Sequence, residues 1–359
     1  MIKYDRSQSI KISFAQFIRR RHGSPVTTYQ VGLTKRSVKC TYLHNLTPIS
    51  HRDHHRKFIR VGPKGYVLPT GWLDHSEDVR TLPLRPDDIF VASFPRSGTT
   101  WTQELVWLIA IDMDFEKAKS IPLTTRYPFL EDFMFRPWDA VKDPDEKKRL
   151  ESAMRPAPEV LASTPSPRFI KSHLPMSLLP EGTLDTARVV YVARDPRDVA
   201  VSCYHFFKSF KENGLTVPFK DYHELFINNL ETWAPFFDHV KEAWYQRNHP
   251  NMLFLFYEEL SKDLGSVARR VADFLGKQYT NEQYARLLDH LKFDNFQKNT
   301  AVDLVNLRAL GLLEDKGQNF IRKGKAGGWR DNYDEEMIRR TEQWMADNLR
   351  DMDLRFEQN

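Results

Sequence analysis

Cysteine is scarce in this 359-residue chain: Cys40 and Cys203 are the only two, too few for a disulfide framework and in keeping with a reducing, intracellular compartment. Cys203 lies in an apolar helical stretch and reads as a core thiol rather than a nucleophile. Long apolar runs are missing as well. Leu105–Ile111 comes nearest, but it falls far short of the roughly 20 residues a membrane span needs, and Asp112 and Asp114 follow it. Met1–Arg21 has no uninterrupted apolar stretch of the secretory kind, so a cytoplasmic protein with no membrane partner is expected. Acids are nearly absent from the first 60 residues, where Asp5 and Asp53 face 13 Lys and Arg. The rest of the chain holds 40 of the 53 basic residues and 46 of the 48 acidic ones, a net of −6, so the overall +5 belongs to the amino-terminal segment. A mildly acidic body argues against nucleic acid as a partner.

Residues 1–55 read as a basic, poorly periodic extension, expected to be disordered and separate from one compact domain over 56–359. The alternative for IKISFAQFIRRR is an amphipathic targeting helix, which would send the protein to mitochondria. His51 and His55 have the spacing of helical metal ligands, but Arg52 and Arg56 beside them would repel a cation, so no metal is expected there. Beyond Phe58 the pattern changes. DDIFVASFP, RFIKSHLP, ARVVYVARDP and NMLFLFYEEL are short apolar strands ending in turns. Between and after them, SGTTWTQELVWLIAIDM, DVAVSCYHFFKSF, DLGSVARRVADFLG and DEEMIRRTEQWMADNL have helical periodicity. Pro196 behind Asp195 marks a helix start, and Gly276 a helix end. Strands alternating with helices indicate an α/β fold with a central parallel sheet, whose ligands sit beyond the carboxyl ends of the strands.

Ser93–Trp101, SFPRSGTTW, joins the first of these strands to the first helix. It lacks the G-x-x-x-x-G-K-[ST] pattern, carries one glycine, Gly98, and has Arg96 where a nucleotide-binding lysine is usual. Free N–H groups and the positive dipole end at a helix start form an anion cradle. Ser97, Thr99 and Thr100 add hydroxyls and Arg96 a fixed charge; simple hydroxyl capping of the helix is the alternative. ARDPRDVAVS is a second candidate, with Arg194 at a strand end and Ser202 about two turns into the next helix, able to meet on one phosphate. Salt-bridged surface arginines are the competing reading there. RKGKAGGWRDNY is a third, placing Arg322 and Lys323 on a glycine-rich loop that either folds over a ligand or is merely mobile and basic.

The three segments resemble those of the cytosolic sulfotransferase family. SFPRSGTTW is similar to the family's 5′-phosphosulfate loop, Y-P-K-S-G-T-T-W, and YVARDPRDVAVSCYHFF to its 3′-phosphate strand and helix. RKGKAGGWRDNY is similar to R-K-G-x-x-G-D-W-K-N-x-F, KSHLP to K-T-H-L-P, and RYPFLE to R-x-P-x-x-E, all in family order. The resemblance implies a P-loop-like three-layer αβα fold. It also implies 3′-phosphoadenosine 5′-phosphosulfate (PAPS) as sulfuryl donor, adenosine 3′,5′-bisphosphate (PAP) as product, and no metal. Arg96, Ser97, Gly98, Thr99, Thr100 and Trp101 would then bind the 5′ end. Arg194, Ser202, Arg322, Lys323 and Gly324 would bind the 3′-phosphate, and Trp101, Tyr257 and Phe293 would pack round the adenine. Phe129 and Phe206 would line a pocket for a small hydrophobic acceptor bearing a hydroxyl, such as a phenol or steroid.

Lys171 and His173 alternate along a strand and so face one way. A histidine suits a general base, and a lysine beside it can steady charge on the bridging oxygen. A strand-end histidine bonded to the backbone is the plainer reading, and KSHLP favours the functional one. The expected reaction is an in-line displacement in which His173 takes the acceptor proton, Arg96 and Lys171 steady the sulfuryl group and leaving phosphate, and Ser202 tunes the reaction through the cofactor phosphate. Asp132–Pro167 exceeds the family's usual length and is expected to form a lid or rim. Phe133, Phe135 and Trp138 within it are left without a role. Three departures stand out. Arg96 replaces the loop lysine, as in Golgi-type sulfotransferases, and Gly328 replaces an aspartate. RDNYDEEMIR also lacks the T-V and final Glu of the family's dimer motif, which puts that form of homodimer in doubt. The competing functions are a relative that dehydrates retinol through a transient sulfate ester, as some insect members do, a P-loop kinase for small alcohols, and a non-catalytic nucleotide-binding protein.

Overall fold

The computed structural model of the protein describes residues 28–30, 39–43, 58–135, 143–145, 148, 156–210, 215, 217–303, 324 and 326–356. Four strands, β5 (Ile89–Ala92), β6 (Phe169–Ser172), β7 (Arg188–Ala193) and β8 (Met252–Phe256), form a sheet in the order β6-β5-β7-β8. Every pairing in it is parallel, with Ala92 opposite both Ser172 and Tyr191. All four residues of β5 are buried, as a strand covered on both faces requires.

The strands divide their side chains between two cores. Phe90, Ala92, Val189, Tyr191 and Ala193 face one way, against Val199, Ala200 and Cys203 of helix α2 (Pro196–Lys208) and against Phe236, Phe237 and Val240 of the helix Phe236–Tyr245. Ile89, Val91, Val190 and Val192 face the other way, against Leu105, Val106, Leu108 and Ile109 of α1 (Thr99–Ala110) and Val267, Ala268 and Val271 of α3 (Leu264–Phe274). This alternation makes the fold three layers, αβα, as the sequence pattern predicts. Asp195 caps α2 by accepting from the Arg197 N–H, with Pro196 at the first helical position, and Gly276 adopts φ +69° just past α3.

A second sheet has no counterpart in the sequence reading. β1 (Thr28–Gln30), β2 (Lys39–Leu43), β3 (Phe58–Val61) and β4 (Tyr66–Pro69) pair antiparallel in that order, so two segments of the basic extension are strands, and the second pairs with Phe58–Val61. Ile59, Val61 and Leu68 enter the first core. The Val67 N–H donates to the Ala234 carbonyl at 2.8 Å and the Val67 carbonyl accepts from the Trp233 N–H at 2.7 Å, which fixes the segment leading into the helix Phe236–Tyr245.

Candidate active site

The turn after β5 carries the strain. Gly98 sits at φ +100°, and a Cβ there would lie 2.5 Å from the Tyr257 ring, so a glycine is needed on both counts. Arg96 adopts φ +66°, a conformation that costs a non-glycine residue about 1–3 kcal/mol and clusters at functional sites. The first turn of α1 has no side-chain cap, and the Ser97 hydroxyl is buried with no hydrogen-bond partner among the described residues. Unpaired donors and a hydroxyl converge where the dipole is positive. The Arg96 guanidinium lies over the Phe206 ring, 4.9 Å from its centre, and its Nε donates to the Ser202 hydroxyl at 3.1 Å.

Across the turn, His173 stands one residue beyond β6 and is buried. Its Nδ1 lies 2.9 Å from the Ser93 carbonyl, which can only accept. Nδ1 therefore carries the proton, and the Nε2 lone pair is left for a ligand. The plainer reading of this histidine, a bond to the backbone, is thus correct, and it leaves the other ring nitrogen without a proton. Burial, with help from the Lys171 charge, holds its pKa well below the usual histidine value, so the ring is neutral. Lys171 rests its ammonium 4.5 Å over the Phe129 ring. Burial draws its pKa down to about 8, with Glu131 opposing and Arg96 adding to the shift, so it keeps its charge at neutral pH.

Glu131 fixes the peptide of His173. Pro128–Leu130 runs beside β6, with the Lys171 N–H donating to Pro128 O at 3.1 Å and the Leu130 N–H to Lys171 O at 2.9 Å. The next residue, fully buried Glu131, accepts from the His173 N–H at 2.5 Å and the Ser172 hydroxyl at 2.9 Å. Aromatic rings enclose the imidazole. Phe129 and Trp233 meet it edge-on at 5.4 and 5.5 Å, and Phe135 stacks on Phe129 and leans on Trp233. Trp233 has φ +69°, and its indole N–H is buried with no partner among the described residues.

The opposite side of the turn is flat and basic. Arg194 stacks 4.1 Å over the Tyr257 ring, donates to the Arg96 carbonyl at 3.3 Å and pairs with Asp198 at 3.7 Å. Trp101 lies 6.0 Å from Tyr257 and donates its indole N–H to Leu291 O at 3.0 Å. Gly324, at φ +61°, packs so closely on Phe293 that a Cβ would fall 2.0 Å from the ring. Asp198 accepts from the N–H groups of Gly327 and Trp329 at 2.7 and 2.9 Å, fastening the carboxy-terminal loop to α2.

The sequence matches the sulfotransferase domain family over residues 86–353. The chain belongs to the sulfotransferase family. It is 34% identical to luciferin sulfotransferase of Photinus pyralis over 313 residues, 82% of each chain, and 30% identical to sulfotransferase 1B1 of Canis lupus familiaris over 79% of this chain and 90% of that one. Among solved structures it is similar to retinol dehydratase in complex with androsterone and the inactive cofactor PAP, at 46% identity and a TM-score of 0.78 over 84% of this chain and 92% of that one. Retinol dehydratase bound to retinol and PAP gives the same score and identity. This chain is therefore a transferase of the sulfuryl-transfer class.

The sulfotransferase gathers most of the residues expected from sequence around one turn: Arg96–Trp101, Lys171, His173, Arg194, Ser202 and Tyr257. Phe293 packs on Gly324, Phe129 stands by His173 and Lys171, and Phe206 stands by Arg96. Arg322 and Lys323 lie outside the described residues, as do Trp138 and most of 136–155 in the expected lid. Phe133 is not in the cage; it is buried against Trp72. Sequence reasoning gave no role to Glu131, Phe135, Trp233 or His239. The last E of RYPFLE was the one available signal for Glu131, while the others reach His173 only through long-range folding.

Proposed function

We propose that this sulfotransferase moves the sulfuryl group of PAPS to the hydroxyl of a small hydrophobic acceptor, with His173 as general base. The observation that carries the reading is the His173 tautomer: Nδ1–H on the Ser93 carbonyl leaves Nε2 as a neutral acceptor inside an aromatic cage beside Lys171 and Arg96. PAPS, when bound, supplies an activated sulfuryl group on a phosphate leaving group. The residues present fit it: the buried Ser97 hydroxyl without a partner, the open first turn of α1 and the Arg96 charge suit the 5′ end. Arg194, Ser202 and Gly324, with Arg322 and Lys323, suit the 3′-phosphate, and Trp101, Tyr257 and Phe293 the adenine. Phe129 and Phe206, joined by Phe135 and Trp233, wall the acceptor and exclude water. His173 Nε2 takes the acceptor proton, while the Lys171 ammonium and Arg96 guanidinium oppose negative charge developing near them. Glu131 keeps the His173 peptide in place. The catalytic unit is residues 56–359, it works in the cytoplasm, and it needs no metal.

The similarity to retinol dehydratase favours a second reading, in which the sulfate ester is transient and the product is an anhydro-alkene. The test is thermal unfolding with PAP against Mg²⁺–ADP, followed by product analysis with PAPS and a phenol, a steroid or retinol. PAP at about 100 times its dissociation constant is expected to add about 2.7 kcal/mol of apparent stability. Stabilisation by Mg²⁺–ADP alone would overturn the reading. A sulfate ester that accumulates supports the first reading, and an alkene the second.

A further inference from the structure

We propose that His239 is a positioning residue for the transfer reaction, holding the main chain of His173 so that the imidazole meets the acceptor hydroxyl. The inference rests on His173 being the base. His239 is fully buried near the start of the helix Phe236–Tyr245, far from His173 in sequence. Its Nε2 lies 2.8 Å from the His173 carbonyl, which only accepts, so Nε2 carries the proton. Nδ1 then accepts from the Tyr191 hydroxyl at 2.7 Å. Both ring nitrogens are used, and the tautomer is fixed from two sides. Burial lowers the pKa of the ring to about 4, so this bonding pattern holds at neutral pH.

His173 is therefore held at three polar points: its N–H on Glu131, its carbonyl on His239 and its ring on the Ser93 carbonyl. The three partners come from three separate parts of the chain. As Glu131 lies two residues from Phe129, so His239 shares the short stretch 233–239 with Trp233, and both of those rings wall the imidazole. That stretch is itself pinned to β4 through Val67. The carbonyl of the base and one ring of the acceptor wall are thus held by the same piece of backbone. A buried polar pair kept only for packing would affect stability and leave turnover of the folded protein alone. A positioning residue would affect turnover first, since a displacement of about 1 Å can cost on the order of 10²-fold in rate.

The experiment compares His239→Leu, His239→Gln and Tyr191→Phe with wild type and His173→Ala in the full chain. The readouts are thermal unfolding, stabilisation by PAP, kcat and KM for PAPS with the acceptor the wild type turns over, and the ¹⁵N imidazole resonances. The glutamine can replace both functions, since its oxygen accepts from Tyr191 and its amide donates to His173. We expect His239→Leu to lower kcat about 10–100-fold with KM for PAPS within about twofold. His239→Gln should recover most of that loss, and Tyr191→Phe should fall between. The His173 Nδ1–H signal, slow to exchange in the wild type, should broaden in His239→Leu whatever the acceptor. An unchanged resonance overturns the proposal. So does a kcat within about twofold of wild type, or a glutamine variant as slow as the leucine one at equal melting temperature. If His239→Leu fails to fold, the other two variants decide. Full turnover by His173→Ala would instead sink the assignment of the base, which separates the two failures.

Discussion

The two ends of the parallel sheet treat buried polar groups in opposite ways. At the amino ends of β5 and β6, the fully buried Arg168 guanidinium grips Asp88 through two bonds of 2.7 and 2.5 Å and donates also to the carbonyls of Leu161 and Pro83. Each of its three nitrogens has a partner. At the carboxyl ends, the Ser97 hydroxyl and Trp233 indole N–H are buried without partners among the described residues, and Arg96 and Trp233 hold strained backbone. Glu131 and Glu258 are pushed up to about 7 by burial. At one end Arg168 is satisfied within the chain; at the other, buried donors are left without a partner among the described residues. Unsatisfied and strained groups are costly, and these lie around the turn after β5 and His173.

Substitutions at the two ends should separate chemistry from stability. The largest expected effect is at the carboxyl end: His173→Ala should lower kcat by about 10²–10⁴-fold while leaving PAP stabilisation and the melting temperature close to wild type. Arg168→Met should do the reverse. It strands the Asp88 carboxylate, so urea unfolding should show a loss of about 3–5 kcal/mol, with kcat per folded molecule within about twofold of wild type. Gly98→Ala sharpens the contrast, because it combines both effects in one place. Its Cβ meets Tyr257 in a left-handed conformation, and a stability loss of about 1–3 kcal/mol should come with clearly weaker PAP binding by calorimetry.

The smallest effect concerns pH. Glu258 accepts from the Asp195 N–H at 2.9 Å and has a folded pKa of about 7, above its ordinary 4.5. The native state therefore binds this proton more tightly than the unfolded state, and the contribution present below pH 4.5 is lost as pH rises through 7. Glu258→Gln keeps the acceptor and cannot titrate. Wild type should lose stability relative to this variant between pH 4.5 and 7.5, by an amount on the order of 2 kcal/mol. Melting temperatures that track each other across that range would contradict the assignment.

What the sequence made legible follows the range of the forces involved. The turn from β5 into α1 and the turn from β7 into α2 are local: an apolar run, a capping residue, a helix start, and the anion donors between them, all within about ten positions. The parallel sheet followed from their alternation. The antiparallel sheet did not, because β1 and β2 lie in a stretch whose basic composition hides any alternation. Trp233 and His239 were equally hidden. Each lies in a segment to which the sequence reading assigned no element, and only tertiary packing brings it to His173. Arg96 was read as a charge. Its contacts with Ser202 and Phe206 required the fold.

The bonds that Asp198 makes to Gly327 and Trp329 join residues separated by 129 and 131 positions. During synthesis, the β5–β7 core and α2 emerge long before that loop exists. A nascent chain can thus build its sheet and its base while this buried carboxylate still lacks its backbone donors. The loop flanked by Gly324 and Gly327 can be fastened only once Gly327 and Trp329 have been made. A ribosome paused before that point would present a sheet whose α2 carboxylate is still unfastened. Fastening of this loop to α2 is therefore a late event in the life of the polypeptide, set by the order in which its parts leave the exit tunnel.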